Sequence, residues 1–158
     1  MSTALTLALY QPDQPQNTGA MLRLCACLGL AMDIIEPMGF VWDEARVRRV
    51  AMDYRDQVTV RRHANWDRFC AEYREKSNTK RIILLTTRAE QAYDDFAFQP
   101  DDILLVGSES AGVPDDVHAA ADARITIPMQ PHCRSLNVAM AAGIVAAEAI
   151  RQLRRKHT

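Results

Sequence analysis

Three short polar segments of this chain combine residue types and spacings suited to chemistry. The first, Asn17-Thr18-Gly19-Ala20-Met21-Leu22-Arg23, puts a polar turn and an arginine at the start of a helix. With the helix beginning at Thr18 and Asn17 as its N-cap, Arg23 falls one turn inside, where the helix dipole disfavours a decorative cation. That placement raises the functional reading of Arg23, with a surface arginine paired to an acid elsewhere as the alternative that position alone leaves open. The second, Val106-Gly107-Ser108-Glu109-Ser110-Ala111-Gly112-Val113-Pro114, follows an apolar run. Its glycines allow close backbone approach or positive φ, and Glu109 adds one negative charge. No G-x-x-x-x-G-K-[ST] and no G-x-G-x-x-G occurs, and an acid in place of the lysine is wrong for phosphate. A cationic or hydroxyl-rich ligand fits better; a tight turn with Glu109 capping the next helix is the plainer reading. The third, Ile127-Pro128-Met129-Gln130-Pro131 through Arg134-Ser135-Leu136-Asn137 to Gly143, is a loop stiffened by two prolines. It feeds a helix of small side chains, Ala139, Ala141, Ala142 and Gly143, that another backbone can approach closely. Ser135 and Asn137 can donate and accept hydrogen bonds at a ligand, with Ser135 as a helix N-cap the alternative.

Strands alternating with helices are needed to position these loops, and the apolar pattern supplies them. Strands are expected at Ala4 to Tyr10, Ala31 to Ile35, Gln57 to Arg61, Arg81 to Thr86, Ile103 to Val106 and Ile125 to Ile127. Helices are expected at Thr18 to Leu30, Asp43 to Val50, Ala64 to Lys76 and Leu136 to Ala149. Continuous runs such as Ile82-Ile83-Leu84-Leu85 suit strands buried on both faces of a parallel sheet. The fold class is therefore α/β, a parallel sheet with helices on both faces. Loops at the carboxyl ends of such strands are the usual place for a ligand.

The chain has 158 residues, the size of a single domain spanning 1–158. Its 48% hydrophobic and 25% charged residues are those of a soluble globular protein. With no signal-like start and no run approaching a membrane span, a cytosolic protein without a membrane partner is expected. Cys25, Cys27, Cys70 and Cys133 form no C-x-x-C pair, which fits a reducing compartment. The scattered histidines argue against a metal. The net charge of −1 hides a segregation: Arg46 to Arg62 carries six arginines against Asp53 and Asp56, and Ala89 to Ala123 carries nine acids. The acidic span holds no lysine or arginine, with His118 its one basic side chain, whereas Arg46, Arg48 and Arg49, with Arg154 and Arg155 near the C-terminus, form a candidate basic face for phosphates. A solvated helix face and a helix-dipole complement are the alternatives.

Taken in order, the three segments resemble the SPOUT (SpoU-TrmH) superfamily of RNA 2′-O-ribose methyltransferases. The motifs run N-x-G-x-x-x-R, then G-x-E-x-x-G-[LV], then I-P-M with S-L-N-V-x-x-A, and cover Asn17 to Gly143. The stretch Ile34-Ile35-Glu36-Pro37-Met38-Gly39-Phe40, followed by Arg48-Arg49 and Asp53-Tyr54, resembles the short TrmL-type branch that methylates the tRNA wobble nucleotide. The resemblance implies a C-terminal trefoil knot, otherwise nearly absent from proteins. It also implies S-adenosylmethionine as methyl donor, tRNA (the anticodon loop) as substrate and a homodimer. Leu85, Gly107, Ile127, Met129, Ser135 and Leu136 would then hold the donor. Arg23 would be the catalytic residue, reaching the partner's donor pocket, with Asn17, Glu109, Ser135 and Asn137 orienting donor and substrate. The small-residue helix would lie in the dimer interface. Ala20 and Ala139 depart from the family's Asn and Ser and bear on target choice and helix packing. A catalytically quiet RNA-binding relative, an enzyme for another RNA position and a dehydrogenase-like nucleotide-binding domain are the competing readings; the last lacks its fingerprint.

Overall fold

A computed structural model of the chain describes residues 5–76 and 80–156. The expected strand start at Ala4 lies outside them. Six strands form one sheet in the order β3-β2-β1-β5-β4-β6: β1 (Thr6–Tyr10), β2 (Ala31–Ile35), β3 (Val60–His63), β4 (Ile82–Leu85), β5 (Ile103–Val106) and β6 (Ala123–Ile125). Every neighbouring pair is parallel, as continuous apolar runs require when helices cover both faces. Strand alternation sends Leu7, Leu9, Ile34, Ile83 and Leu104 to one core cluster. Ala8, Tyr10, Ile35, Leu84 and Leu105 go to the other.

The helices depart from the apolar pattern at their ends, each time for a local reason. Helix α1 runs Pro15–Leu28, three residues earlier than expected, because a proline at the first helical position loses no hydrogen bond. Asn17 is therefore not the N-cap; Gln14 precedes the helix without a side-chain cap. Arg23 is its ninth residue, beyond the first turn to which the dipole effect is confined, so the dipole reason for singling it out does not hold. The helix stops at Gly29, whose φ of 72° is the left-handed conformation of a helix terminator. Helix α2 (Glu44–Ala51) begins where the Asp43 carboxylate accepts the Ala45 N–H at 2.9 Å. A 3-10 helix, Met52–Gln57, follows and takes Gln57, the residue expected to open β3, which begins instead at Val60. Helix α3 (Trp66–Lys76) starts after Asn65, whose side chain accepts the Arg68 N–H at 2.9 Å. The short α4 (Asp115–Ala120) escaped the pattern, though Asp115 and Asp116 in its first turn suit the dipole. Strand β6 ends at Ile125, and Thr126 makes only an isolated bridge to Ala92. Helix α5 (Val138–Arg155) closes the fold.

Two aspartates are buried within this apolar sheet, and both are satisfied by arginine. Asp102 accepts two bonds from Arg81, at 2.8 and 2.7 Å. Asp33, fully buried on β2, accepts from Arg61 Nε at 2.9 Å, from the Tyr73 hydroxyl and lies 3.2 Å from His63 Nε2. It thereby ties the edge strand β3 and helix α3 to the sheet interior. Burial and the Asp33 hydrogen bond push the Tyr73 phenol well above its ordinary range, so the phenol is a donor at neutral pH. Removing one partner of a buried ionic network strands the others. Asp33→Ala should lower unfolding stability by about 3–5 kcal/mol, measured by urea titration; a loss below about 1 kcal/mol would show that the network behaves as a surface ion pair.

Candidate functional site

The chain runs outward from β1 to β2 and β3 on one side, then fills the other side with β5, β4 and β6. Strand order therefore reverses between β1 and β5, and all carboxyl ends share one edge. Such an edge is where open α/β sheets bind ligands. A cleft of about 840 Å³ opens there, among the carboxyl ends of β4 and β5, the segment after β6 and the start of α5. That volume lies within the ordinary range for a small-molecule site. Leu85, Gly107, Ile127, Met129, Ser135 and Leu136, the six residues singled out for a donor, all line it. Asn17, Glu109 and Asn137 line it as well, and Arg23 is not among the lining residues.

The second segment is a tight turn, and its glycines serve that turn. Ser108 and Gly112 exchange backbone hydrogen bonds at 3.0 and 2.9 Å. A Cβ on Gly107 would fall 2.6 Å from the Gly112 carbonyl carbon, a distance that excludes any side chain there. The turn leaves Glu109 free to point elsewhere than at the following helix, which Pro114 precedes without a side-chain cap.

Glu109 instead forms a reciprocal clasp with Asp13, the residue after β1 that the sequence did not single out. The Asp13 N–H donates to Glu109 Oε2 at 3.0 Å, and the Glu109 N–H donates to Asp13 Oδ1 at 3.2 Å. The Ser110 hydroxyl donates to the other Asp13 oxygen. Gly39 leans on the same point: a Cβ there would sit 2.5 Å from Asp13 Cβ. The two carboxyls are shifted in opposite directions. Burial, and then the hydrogen bond with Asp13, push Glu109 above the usual carboxylate range, with the Asn17 side chain pulling the other way. The hydrogen bond from Glu109, and then that from Ser110, hold Asp13 below the range. Glu109 Oε1 is buried without a hydrogen-bond partner among the described residues, which marks a polar position that a ligand can complete.

The third segment joins the first through a pair of asparagines. Asn137 Nδ2 donates to Asn17 Oδ1 at 3.0 Å. Its own Oδ1 accepts the N–H groups of Ala139 and Met140 at 2.9 and 3.2 Å. Asn137 is therefore the N-cap of α5, and Ser135, exposed at the cleft, is not. The small residues that follow pack partly inside the chain: Ala142, Ala146 and Ala149 are buried in the core shared with α1. That face is not open to a partner, whereas Met140 on another face is 59% exposed.

The basic residues are spread over other surfaces. Arg23 is exposed, and its guanidinium carbon lies 5.3 Å from the centroid of the Tyr54 ring. Of the arginines between 46 and 62, several are committed within the chain: Arg48 to Asp56 at 2.9 and 2.8 Å, Arg55 to Glu44 at 2.9 Å, Arg61 to Asp33 and Arg62 to Glu36. Arg46 and Arg49 on α2 and Arg154 and Arg155 at the end of α5 are exposed. The basic face is thus smaller than the residue count suggests. Thr86 and Arg88, also unanticipated, line the cleft beyond β4. Their only sequence signal is a position just after a buried strand, the same signal that Asp13 carries between two prolines. No group of three or more His, Cys, Asp or Glu side chains among the described residues is arranged to hold a metal, and no described helix is long and apolar enough to cross a membrane.

Known proteins share both this sequence and this architecture. A tRNA (cytidine(34)-2'-O)-methyltransferase of Beijerinckia indica subsp. indica is 58% identical over 147 residues, covering 93% of this chain and 91% of its own. A solved structure concerned with the 2-OH methylation of C/U34 on tRNA superposes with a TM-score of 0.89 at 36% identity, covering 96% of this chain and 97% of its own. At the level of fold alone, the SpoU methyltransferase AviRb from Streptomyces viridochromogenes in complex with the cofactor AdoMet matches with a TM-score of 0.86 at 23% identity, over 98% of this chain and 62% of its own. The model of the SpoU rRNA Methylase family matches residues 4–147, a span that contains the clasp, the cleft and all three polar segments. By motif order, sheet order and this match together, the chain belongs to the SpoU rRNA Methylase family.

Proposed function

We propose that this protein is a tRNA 2′-O-methyltransferase that transfers a methyl group from S-adenosylmethionine to the ribose 2′-hydroxyl of the wobble nucleotide, cytidine or uridine 34. The convergence of three separated motifs on one cleft at the carboxyl edge of the sheet carries this reading. The extensive match to a tRNA (cytidine(34)-2'-O)-methyltransferase supports the choice of nucleotide. A homodimer and the knotted C-terminal half implied by the motifs belong to the same reading.

The cleft suits the donor chemically. Leu85, Ile127, Met129 and Leu136 would hold the adenine against apolar surface, with backbone groups of the loops completing its hydrogen bonds. Gly107 and Ser135 would border it, and the Glu109 oxygen that lacks a partner would accept or donate at its polar part. S-adenosylmethionine supplies a methyl group already activated on sulfonium. The chain's task is alignment of the 2′-hydroxyl and removal of its proton. A guanidinium is not deprotonated in proteins, so a literal base role does not suit Arg23. It would anchor the neighbouring phosphate and stabilise the developing alkoxide, with phosphate or water taking the proton. The position of Arg23, exposed and away from the lining of its own cleft, supports its service to the partner's cleft in a homodimer. Asn17 and Asn137 spend their side chains on each other and on the α5 cap, so they would orient the site's walls. Ser135 retains an exposed hydroxyl for donor or substrate.

Replacing Arg23 by Ala should abolish labelled methyl transfer to tRNA while donor affinity, measured by calorimetry, changes less than about threefold, since the lost interaction belongs to the transition state. Loss of both in equal measure would sink the assignment. The exposed arginines of α2 give a second expectation. Replacing Arg46 and Arg49 together by Ala should reduce the slope of log affinity for tRNA against log salt by about two. Arg48→Ala should change it by less than about half a unit, because Asp56 already neutralises that guanidinium. Equal slopes in wild type and double variant would place the phosphate contacts elsewhere.

A further inference from the structure

Gly19, the glycine of the first motif, has a packing reason that leads to a residue outside the three polar segments. A Cβ at Gly19 would fall 2.1 Å from Val50 Cγ1 and 2.8 Å from Val50 Cβ. Valine is stiff at χ1, so it cannot swing away, and α2 sits against the bare backbone of α1. Arg23 stands four residues after Gly19, one turn along the same face of α1. Tyr54 stands four residues after Val50, in the 3-10 helix that continues α2. The close approach at Gly19 therefore sets the separation one turn further on, where the Arg23 guanidinium carbon lies 5.3 Å from the Tyr54 ring centroid. Tyr54 is half-buried and Arg23 exposed, so the ring is the fixed partner and the guanidinium the one held.

We propose that Tyr54 is a positioning residue for Arg23, its aromatic face holding the guanidinium in the direction the reaction requires. The negative face of an aromatic ring attracts a guanidinium at this distance. An arginine side chain free in solvent must lose its rotamer freedom when substrate arrives. Holding it beforehand moves that cost out of the reaction step. The phenolic hydroxyl takes no part in the contact, so a phenylalanine serves equally. Tyr54 would neither touch the donor nor the reacting oxygen. The proposal rests on Arg23 as the catalytic cation.

The test is single-turnover methyl transfer to tRNA at saturating donor, with thermal unfolding and donor affinity measured alongside. Tyr54→Phe should keep the rate within about twofold of wild type, whereas Tyr54→Leu should lower it about tenfold with donor affinity and KM for tRNA unchanged. Should the leucine variant fail to fold cooperatively, Tyr54→Met is the second non-aromatic substitution with the same expected loss. A wild-type rate in a folded non-aromatic variant would overturn the proposal. So would a loss in Tyr54→Phe equal to that in Tyr54→Leu, or a loss confined to KM for tRNA, which would make Tyr54 an RNA contact. Arg23→Ala in the same series separates the two claims. A wild-type rate there rejects the catalytic arginine itself, while a loss there without one in Tyr54→Leu rejects only the positioning.

Discussion

The clasp between Asp13 and Glu109 is the interaction on which the rest of the site depends. It joins the loop after β1 to the loop after β5 across the point where strand order reverses, and each residue gives both a backbone N–H and a carboxyl oxygen. Burial raises the Glu109 carboxyl above the usual carboxylate range, while the hydrogen bonds from Glu109 and Ser110 hold Asp13 below it. From the same neighbourhood the Asn17 and Asn137 side chains carry the link onward to the N-cap of α5. Three motifs separated by most of the chain are thus connected through side chains that a ligand does not have to organise. The cost of ordering the cleft is met in folding, which is the meaning of preorganisation here.

A parallel sheet makes this arrangement possible because its strand ends align. Gly107 and Gly112 then allow a turn tight enough to aim Glu109 sideways at Asp13 rather than forward at α4. Polar side chains line the cleft beside apolar ones, and among them Glu109 is distinctive for a buried oxygen without a hydrogen-bond partner. Arg23 obeys a different constraint. It stands on the outer part of α1 beside α2, where the missing Cβ of Gly19 lets the next element close in. The cleft proposed for the donor and the arginine proposed as the catalytic cation lie on different walls of one subunit, a separation that suits the proposed reaction across two subunits.

Much of this was legible in the sequence, and the remainder was illegible for physical reasons. The apolar runs of β4 and β5 suited a parallel sheet covered on both faces, and the alternation of strands with helices favoured it over a sandwich. The six residues that the family resemblance singled out for the donor all line one cleft. Helix ends were less readable: Pro15 starts α1 early by a rule about missing donors, and Asn137 outcompetes Ser135 as N-cap because its side chain also reaches Asn17. The dipole reason for choosing Arg23 depended on that misplaced start, so the motif spacing carries the choice without it. Asp33 within β2 gives no local sign that Arg61, Tyr73 and His63 converge on it. Long-range pairing likewise conceals how many arginines between 46 and 62 are already neutralised. Asp13 and Tyr54 act through neighbours distant in sequence, which no single window of residues can display.

The central claim is that this cleft and this arginine methylate one ribose in the anticodon loop. Its most direct test is transfer of labelled methyl from S-adenosylmethionine to total tRNA lacking ribose methylation at the wobble nucleotide, followed by mapping of the labelled atom. The account predicts label on the 2′-oxygen of nucleotide 34 and nowhere else. Label on a base, or on the ribose of another position, would contradict it.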